Sequence, residues 1–161
     1  MNLRVGTDLQ NATAGAFSVY FGKNECSTGA SVVTVKDGGE ISVGECCGVV
    51  NNKGYLHVAR GVVLDIKRGG TVEVGDQSTL FVEGSGITHV REGGFLNVSW
   101  ANGKIVVKGG GTLRVYSGGV LRVSNGAQLL VEAGGKLILD AGAKIQLWDG
   151  SAPDGASTIH L

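Results

Sequence analysis

The sequence has no excess of charge of either sign, because its 14 Lys and Arg residues are matched by 14 Asp and Glu residues. This balance gives no reason to expect nucleic acid or an anionic membrane surface as a partner, since both select basic chains. No apolar run approaches the ~18 residues that a membrane-spanning helix requires, so we expect no membrane insertion. Residues 1–4 (MNLR) begin no apolar signal core, which predicts either a cytosolic protein or a mature or excised piece of an exported one.

The sequence also lacks the spacing of a metal site. Its three cysteines, Cys26, Cys46 and Cys47, form no paired C-x-x-C elements. We interpret them as small apolar fillers near one end of the core, with a disulfide from Cys26 to Cys46 or Cys47 as the alternative. The odd count leaves at least one thiol free. His57 lies on a different ladder of the repeat described below from His89, and His160 lies in the tail, so no metal is expected.

Helix and phosphate-binding patterns are missing as well. No stretch shows the apolar spacing of three and four residues that marks an amphipathic helix, so we expect no helix longer than a turn. No Gly-Lys-Ser/Thr triplet follows a Gly-Gly pair, which argues against phosphate binding and leaves no expected cofactor. Proline occurs once, whereas glycine occurs 29 times. Glycine in such number is typical of corners that need positive φ or the close approach of neighbouring backbone.

Residues 110–147 repeat one short phrase five times with a period of eight residues. Each copy is a small-residue corner followed by a strand in which the fourth and sixth residues are aliphatic, so that both point to one face. That face is the predicted core. The five copies read GGTLRV, GGVLRV, GAQLLV, GGKLIL and GAKIQL.

A weaker form of the same period extends towards the N-terminus, which predicts a single domain with three parts. Residues 1–28 are interpreted as an atypical N-terminal coil or cap, and residues 29–147 as the regular octad repeats. Residues 148–161 are interpreted as a C-terminal cap or tail, in which Trp148 packs over the last coil.

The period slips at two places. One residue is missing around Cys46 to Asn52, where Val49 is taken as the inward residue of its strand. One residue is added at Trp100 to Asn102, where we expect the corner to bulge.

Strands joined by Gly-Gly could turn back as hairpins, or they could turn a corner and wind as a parallel solenoid. If three octads make a coil, outward residues of successive coils stack in ladders. Charges in these ladders mostly alternate, as in Glu83, Lys108 and Glu132, and opposite charges stabilise such stacking. The sequence therefore predicts an all-β fold, a parallel β-helix (β-solenoid) with about three short strands and roughly 24 residues per coil.

Two outward ladders are candidate functional sites. The first is apolar and would form an exposed strip, which usually marks an interface with another protein; its residues are Tyr55, His57, Phe81, Val106 and Leu130. An incorrect coil length, or an N-terminal segment folded over this face, is the alternative explanation. The second ladder is polar, comprises Asp65, His89 and Arg114, and lies beside Arg91 and Asp140. A solvated charged face explains this second ladder as well as a catalytic site does.

Residues 110–147 resemble the passenger repeats of autotransporter adhesins of the AIDA and self-associating type, in which Gly-Gly corners alternate with short Leu/Val strands in a right-handed parallel β-helix. The likeness of pattern covers about residues 30–147. It implies a right-handed solenoid that is displayed on the bacterial cell surface as a stalk or adhesin. In that family the exposed ladders mediate contact between cells or between a cell and a surface.

Three hypotheses of function remain. The leading one is a non-enzymatic structural and adhesive module of the cell surface or extracellular space, whose partner is itself, the rest of a larger polypeptide or surface carbohydrate. The alternative is an intracellular, polymer-forming scaffold similar in size to the bactofilins, which assemble end to end. The third is a carbohydrate-binding or carbohydrate-cleaving β-helix. It is the least favoured, because such enzymes build their clefts from long loops and the octads leave no room for them.

Overall fold

The computed structural model describes residues 18–21, 31–34, 40–43, 47–50, 54–75, 77–148 and 157–161, with side chains from Tyr55 onward. Short β-strands occupy most of these residues. In chain order they are β1 (Ser18–Phe21), β2 (Ser31–Thr34), β3 (Glu40–Val43), β4 (Cys47–Val50), β5 (Gly54–Val58), β6 (Val63–Ile66), β7 (Thr71–Val74), β8 (Thr79–Val82), β9 (Ile87–Val90), β10 (Phe95–Ser99), β11 (Lys104–Val107), β12 (Thr112–Val115), β13 (Val120–Ser124), β14 (Gln128–Val131), β15 (Lys136–Leu139), β16 (Lys144–Trp148) and β17 (Thr158–His160). None of the described segments forms a helix that is long and apolar enough to cross a membrane.

The strands assemble into three parallel sheets, because each strand from β4 onward pairs with the strand that lies three strands earlier in the chain. Sheet A has the order β1-β4-β7-β10-β13-β16, sheet B the order β17-β14-β11-β8-β5-β2, and sheet C the order β15-β12-β9-β6-β3. Each coil therefore contributes one strand to each sheet. The prediction of an all-β solenoid with three strands and roughly 24 residues per coil is confirmed. Right-handed winding stays a prediction.

Strands β7, β9, β10, β12 and β13 bury alternate residues, as the octad pattern predicts. In β7, Val72 and Val74 are fully buried, whereas Thr71 and Glu73 remain partly exposed. The buried residues of successive coils stack on each other and fill the interior of the prism with Leu, Val and Ile. Such aliphatic stacking stabilises the fold by removing apolar surface from water, at roughly 1.5–3 kcal/mol for each fully buried side chain.

Thr88 is the polar exception in this interior. It stacks between the fully buried Leu64 and Leu113, and it is itself fully buried. Its hydroxyl has no hydrogen-bond partner among the described residues. An unpaired buried hydroxyl opposes folding, so this layer of the core is less favourable than its aliphatic neighbours.

The corners are tight turns that glycine makes possible. At Lys108 to Gly111, the Gly111 amide donates to the Lys108 carbonyl at 2.9 Å, and Gly110 has a φ of 81°. A positive φ at the third position is the geometry of a type II turn, which favours glycine. Gly111 needs to be glycine for another reason, because a Cβ there would lie 2.1 Å from the Val82 carbonyl oxygen of the preceding coil.

The two predicted slips are present, and one prediction at the first slip is wrong. Leu80 pairs with Ile105, so the coil through Trp100 is one residue longer than the coil in which Leu56 pairs with Leu80. The predicted shorter coil is also present. Val33 pairs with Leu56, so this coil is one residue shorter than the coil in which Leu56 pairs with Leu80.

The missing residue, however, lies before β4. Gly48 pairs with Val72, and Val49 therefore aligns with Glu73. The interpretation of Val49 as an inward residue was wrong by one position, because the shortening falls between β3 and Gly48 and not after it.

The segment expected to be a C-terminal cap contains a further strand. β17 pairs with β14 and extends sheet B, which the sequence pattern did not reveal. Trp148 does not pack over the last coil, because it ends β16 in register with Ser124 and its side chain is 56% exposed. Cys26 and Cys46, and most of residues 1–28, lie outside the described residues. Cys47 begins β4, but its side chain also lies outside that description.

The stacking of coils makes adjacent glycines unequal in their tolerance of substitution. Gly111→Ala should lower the free energy of unfolding by several kcal/mol, because the Cβ would displace backbone of the neighbouring coil. Gly109→Ala is the matched control, since a Cβ there would meet only the Ala133 carbonyl oxygen at 3.2 Å. Urea denaturation of the two variants measures the difference. Equal losses in both would contradict the close approach at Gly111.

Candidate functional site

Sheet B carries the apolar column that the sequence predicted. His57 pairs with Phe81, Phe81 with Val106, and Val106 with Leu130. The four residues therefore occupy one position of four successive coils. Tyr55 lies on β5 beside this column, and its ring centroid is 6.3 Å from that of Phe81 in a stacked arrangement. We call these five residues the sheet B column.

The sheet B column is less exposed than expected. Val106 is only 5% exposed, so its assignment as an exposed residue was wrong. Its short side chain is flanked along the axis by the larger Phe81 and Leu130, at the spacing of about 4.8 Å that separates strands of a sheet. The apolar surface available to a partner is therefore supplied by Tyr55, Phe81 and Leu130, which are all partly exposed.

Charged residues cover part of Phe81. Lys108 Nζ lies 4.4 Å from the centroid of the Phe81 ring, and the His57 ring stacks on Phe81 with the ring centroids 4.7 Å apart. Glu83 links these two residues, with its Oε1 atom 2.8 Å from His57 Nδ1 and its Oε2 atom 3.5 Å from Lys108 Nζ. The hydrogen bond with His57, aided by both nearby cationic groups and opposed by burial, lowers the pKa of Glu83.

Sheet C carries the predicted polar column of Asp65, His89 and Arg114. Asp65 pairs with His89, and His89 pairs with Arg114. Each of them contacts a residue that lies one coil further along the axis and just beyond the end of the next strand. These diagonal pairs are Asp65 with Arg91, His89 with Tyr116, and Arg114 with Asp140.

Two of the diagonal pairs are ion pairs. Arg91 Nε donates to Asp65 Oδ1 at 2.7 Å. Arg114 uses both Nε and a terminal nitrogen to bind the two carboxylate oxygens of Asp140, at 3.0 and 3.1 Å. The hydrogen bonds to Asp65 and Asp140 raise the pKa of Arg91 and Arg114, respectively. Each of these four charged side chains is therefore paired with one of opposite charge on sheet C.

Tyr116 lies at the centre of this network. Its ring centroid is 4.4 Å from the guanidinium carbon of Arg91 and 4.6 Å from that of Arg114. Its hydroxyl is hydrogen-bonded to His89 Nδ1 at 3.0 Å. Burial, and then the charge of Arg91, lowers the pKa of His89, while Asp65 opposes that shift. The network thus favours the neutral imidazole.

The polar column does not have the geometry of a paired acid and base. Asp65 lies on β6 and Asp140 follows β15, so the two carboxylates are three coils apart, or about 14 Å along the axis. Paired carboxylates that act on one glycosidic bond lie closer than about 10 Å. No group of three or more His, Cys, Asp and Glu side chains in the described part of the chain could hold a metal ion.

The sequence placed these residues in ladders but did not predict their diagonal contacts. Asp65 and Arg91 are 26 residues apart, as are Arg114 and Asp140, and His89 and Tyr116 are 27 apart. A search for complementary residues two positions beyond one coil length would have found them. The role of Tyr116 as the residue between two guanidinium groups was missed for this reason.

Comparison with known proteins adds little to these observations. No family model matches the chain, and no curated protein matches it. Among solved structures, the chain is similar to the crystal structure of a TibC-catalysed hyper-glycosylated TibA55-350 fragment, at 18% sequence identity and a TM-score of 0.17. The match covers 84% of this chain and 74% of that one. A TM-score this low supports no conclusion about function, so the site must be interpreted from its own residues.

The environment of His89 should make stability depend on pH. A histidine with a lowered pKa in the folded state binds its proton more readily when unfolded, so stability should fall as pH drops below the ordinary value of 6.5. His89→Gln should lack this loss between pH 7 and 5, whereas the loss from Glu83 at more acidic pH should remain in both proteins. Urea midpoints measured across this range test the prediction. Parallel profiles for wild type and variant would contradict it.

Proposed function

We propose that this chain is a non-enzymatic structural and adhesive β-solenoid module, displayed at a cell surface, that associates with further copies of itself through sheet B. The observation that carries this proposal is the sheet B column, in which partly exposed apolar residues recur on a face of fixed geometry. Apolar groups that repeat on one face favour contact with another protein surface. A flat sheet can meet an identical face by two-fold symmetry.

The rigidity of the face supports an adhesive role. Neighbouring coils are joined by parallel strand pairing in all three sheets and by side-chain contacts such as Lys108 with Glu83. A surface that is already ordered loses little conformational entropy when it binds. The charges of Glu83 and Lys108 beside Phe81 would fix how two such faces align.

Phe81→Lys tests this proposal against a closely matched control. Phe95 lies on sheet A, is also partly exposed, and is covered by Arg122 at 5.0 Å much as Phe81 is covered by Lys108. Phe81→Lys should shift sedimentation towards the monomer and reduce aggregation of cells that display the chain. Phe95→Lys should leave both unchanged. A wild type that stays monomeric at high concentration, or equal effects of both variants, would contradict association through sheet B.

A second candidate function is an end-to-end polymer, and one observation favours it. Leu139 and Leu147 are in register with the fully buried Val115 and Val123, yet they are 49% and 55% exposed. They belong to β15 and β16, the outermost strands of sheets C and A among the described residues. Among the described residues this end of the core is uncovered and these strand edges are unpaired, which together favour the addition of another parallel coil.

This second function predicts filaments that depend on the open end. Replacing Leu139 and Leu147 by Lys should prevent filament formation, because charged groups would then face the docking coil. Ile138→Lys is the control, since Ile138 is in register with the outward Arg114. Electron microscopy of the purified chain distinguishes the two cases. Filaments that persist in the double variant, or no filaments of the wild type, would exclude end-to-end assembly.

A further inference from the structure

Both tryptophans of the chain lie exposed along the same edge of the solenoid. The chain has two of them, and Trp100 is 58% and Trp148 56% exposed. Ser99 pairs with Ser124, which pairs with Trp148, and Trp100 directly follows Ser99. Both indoles therefore belong to the edge between sheets A and B, two coils apart, which corresponds to about 10 Å along the axis.

The backbone at Trp100 is unusual for such a residue. Its φ is 73°, a left-handed conformation that bulky residues rarely adopt. Every positive-φ position described at the other two edges is a glycine. At the equivalent corner of the next coil the residue is Asn125, a type that tolerates positive φ. The Trp100 corner also holds the extra residue of the longer coil.

This strain is not compensated by burial, because most of the Trp100 side chain faces solvent. Exposure of two large aromatic rings is itself unfavourable in water unless another molecule covers them. The left-handed backbone accommodates the extra residue of this corner, and positive φ recurs on the same edge at Gln77 and Asn125. The exposed aromatic surface, in contrast, has no structural explanation.

The spacing of the two indoles indicates the chemical class of the ligand. They do not form one continuous apolar patch, because the coil between them presents the polar Asn125 at this corner. A partner must therefore present apolar faces at regular intervals with polar groups between them. Sugar rings have this property, since their C–H faces pack on aromatic rings while their hydroxyls point sideways to hydrogen-bonding groups.

We propose that the edge formed by Trp100, Asn125 and Trp148 binds a linear, uncharged β-1,4-linked hexose polysaccharide that runs along the solenoid axis. In such a chain successive rings are rotated by half a turn, so every second ring presents the same face. One ring stacks on Trp100 and the second ring along stacks on Trp148, while the ring between them lies at the level of Asn125. No bond is made or broken. This binding goes beyond the proposed self-association and does not depend on it, because it uses a different edge.

Intrinsic fluorescence gives a direct test, since all tryptophan emission comes from this edge. Titration with cellohexaose should produce a saturable blue shift, as the sugar displaces water from the indoles. Maltohexaose, whose α-1,4 linkages curve the chain, should bind at least about tenfold more weakly. No saturable change with cellohexaose at millimolar concentration would overturn the proposal, and equal affinity for maltohexaose would overturn the assignment to β-1,4 chains.

Variants separate binding from folding. Trp100→Gly should unfold at a higher urea concentration than wild type, because glycine relaxes the left-handed backbone, yet it should bind cellohexaose about tenfold more weakly by calorimetry. Trp148→Ala should show a similar loss of affinity. Phe95→Ala, on the face of sheet A, is the control and should bind as wild type does. Unchanged affinity in both tryptophan variants would overturn the proposed site, whatever the result for self-association.

Discussion

Backbone hydrogen bonding from coil to coil is the interaction on which the rest of the structure depends, and it continues through the corners. The Gly84 amide donates to the Gly109 carbonyl, and the Gly110 amide donates to the Gly134 carbonyl. Corners stacked this closely leave no space for side-chain carbon, since a Cβ on Gly110 would lie 2.1 Å from the Gly84 carbonyl oxygen. The abundance of glycine is therefore a requirement of stacking, and it needs no bound phosphate to explain it.

The same stacking makes each outer face a fixed lattice of side chains. Residues of one column are separated by the strand spacing, and long side chains reach diagonally to the preceding coil, as Arg91 does to Asp65 and Tyr116 to His89. Ion pairs near the protein surface, such as Arg91 with Asp65, contribute only modest stability individually. Their effect is to hold the side chains in one arrangement, so that a partner meets an ordered surface. The charges of the polar column on sheet C are thus paired, whereas the sheet B column retains partly exposed apolar surface.

Most of the architecture could be predicted from the sequence, because a stacked solenoid requires glycine at its corners and aliphatic residues at its inward positions, and both recur with the period of the strands. The phase of β4 could not, since a missing residue can be placed on either side of Gly48 without breaking the pattern until the pairing with Val72 is known. The solvent exposure of individual side chains, and the last strand, could not be predicted from the sequence either. Val106 occupies the predicted column but is shielded by larger neighbours, and β17 follows a segment with no octad to indicate that the chain returns to sheet B.

The longer coil at Trp100 shows where this fold can accept an extra residue without a change of strand register. The strands on either side of that corner, β10 and β11, keep their inward and outward residues in phase with β13 and β14. An insertion within a strand would instead reverse the faces of every residue after it. Length variation is thus confined to the corners, which makes the edge between sheets A and B a natural position for grafting a foreign peptide or an epitope onto the solenoid.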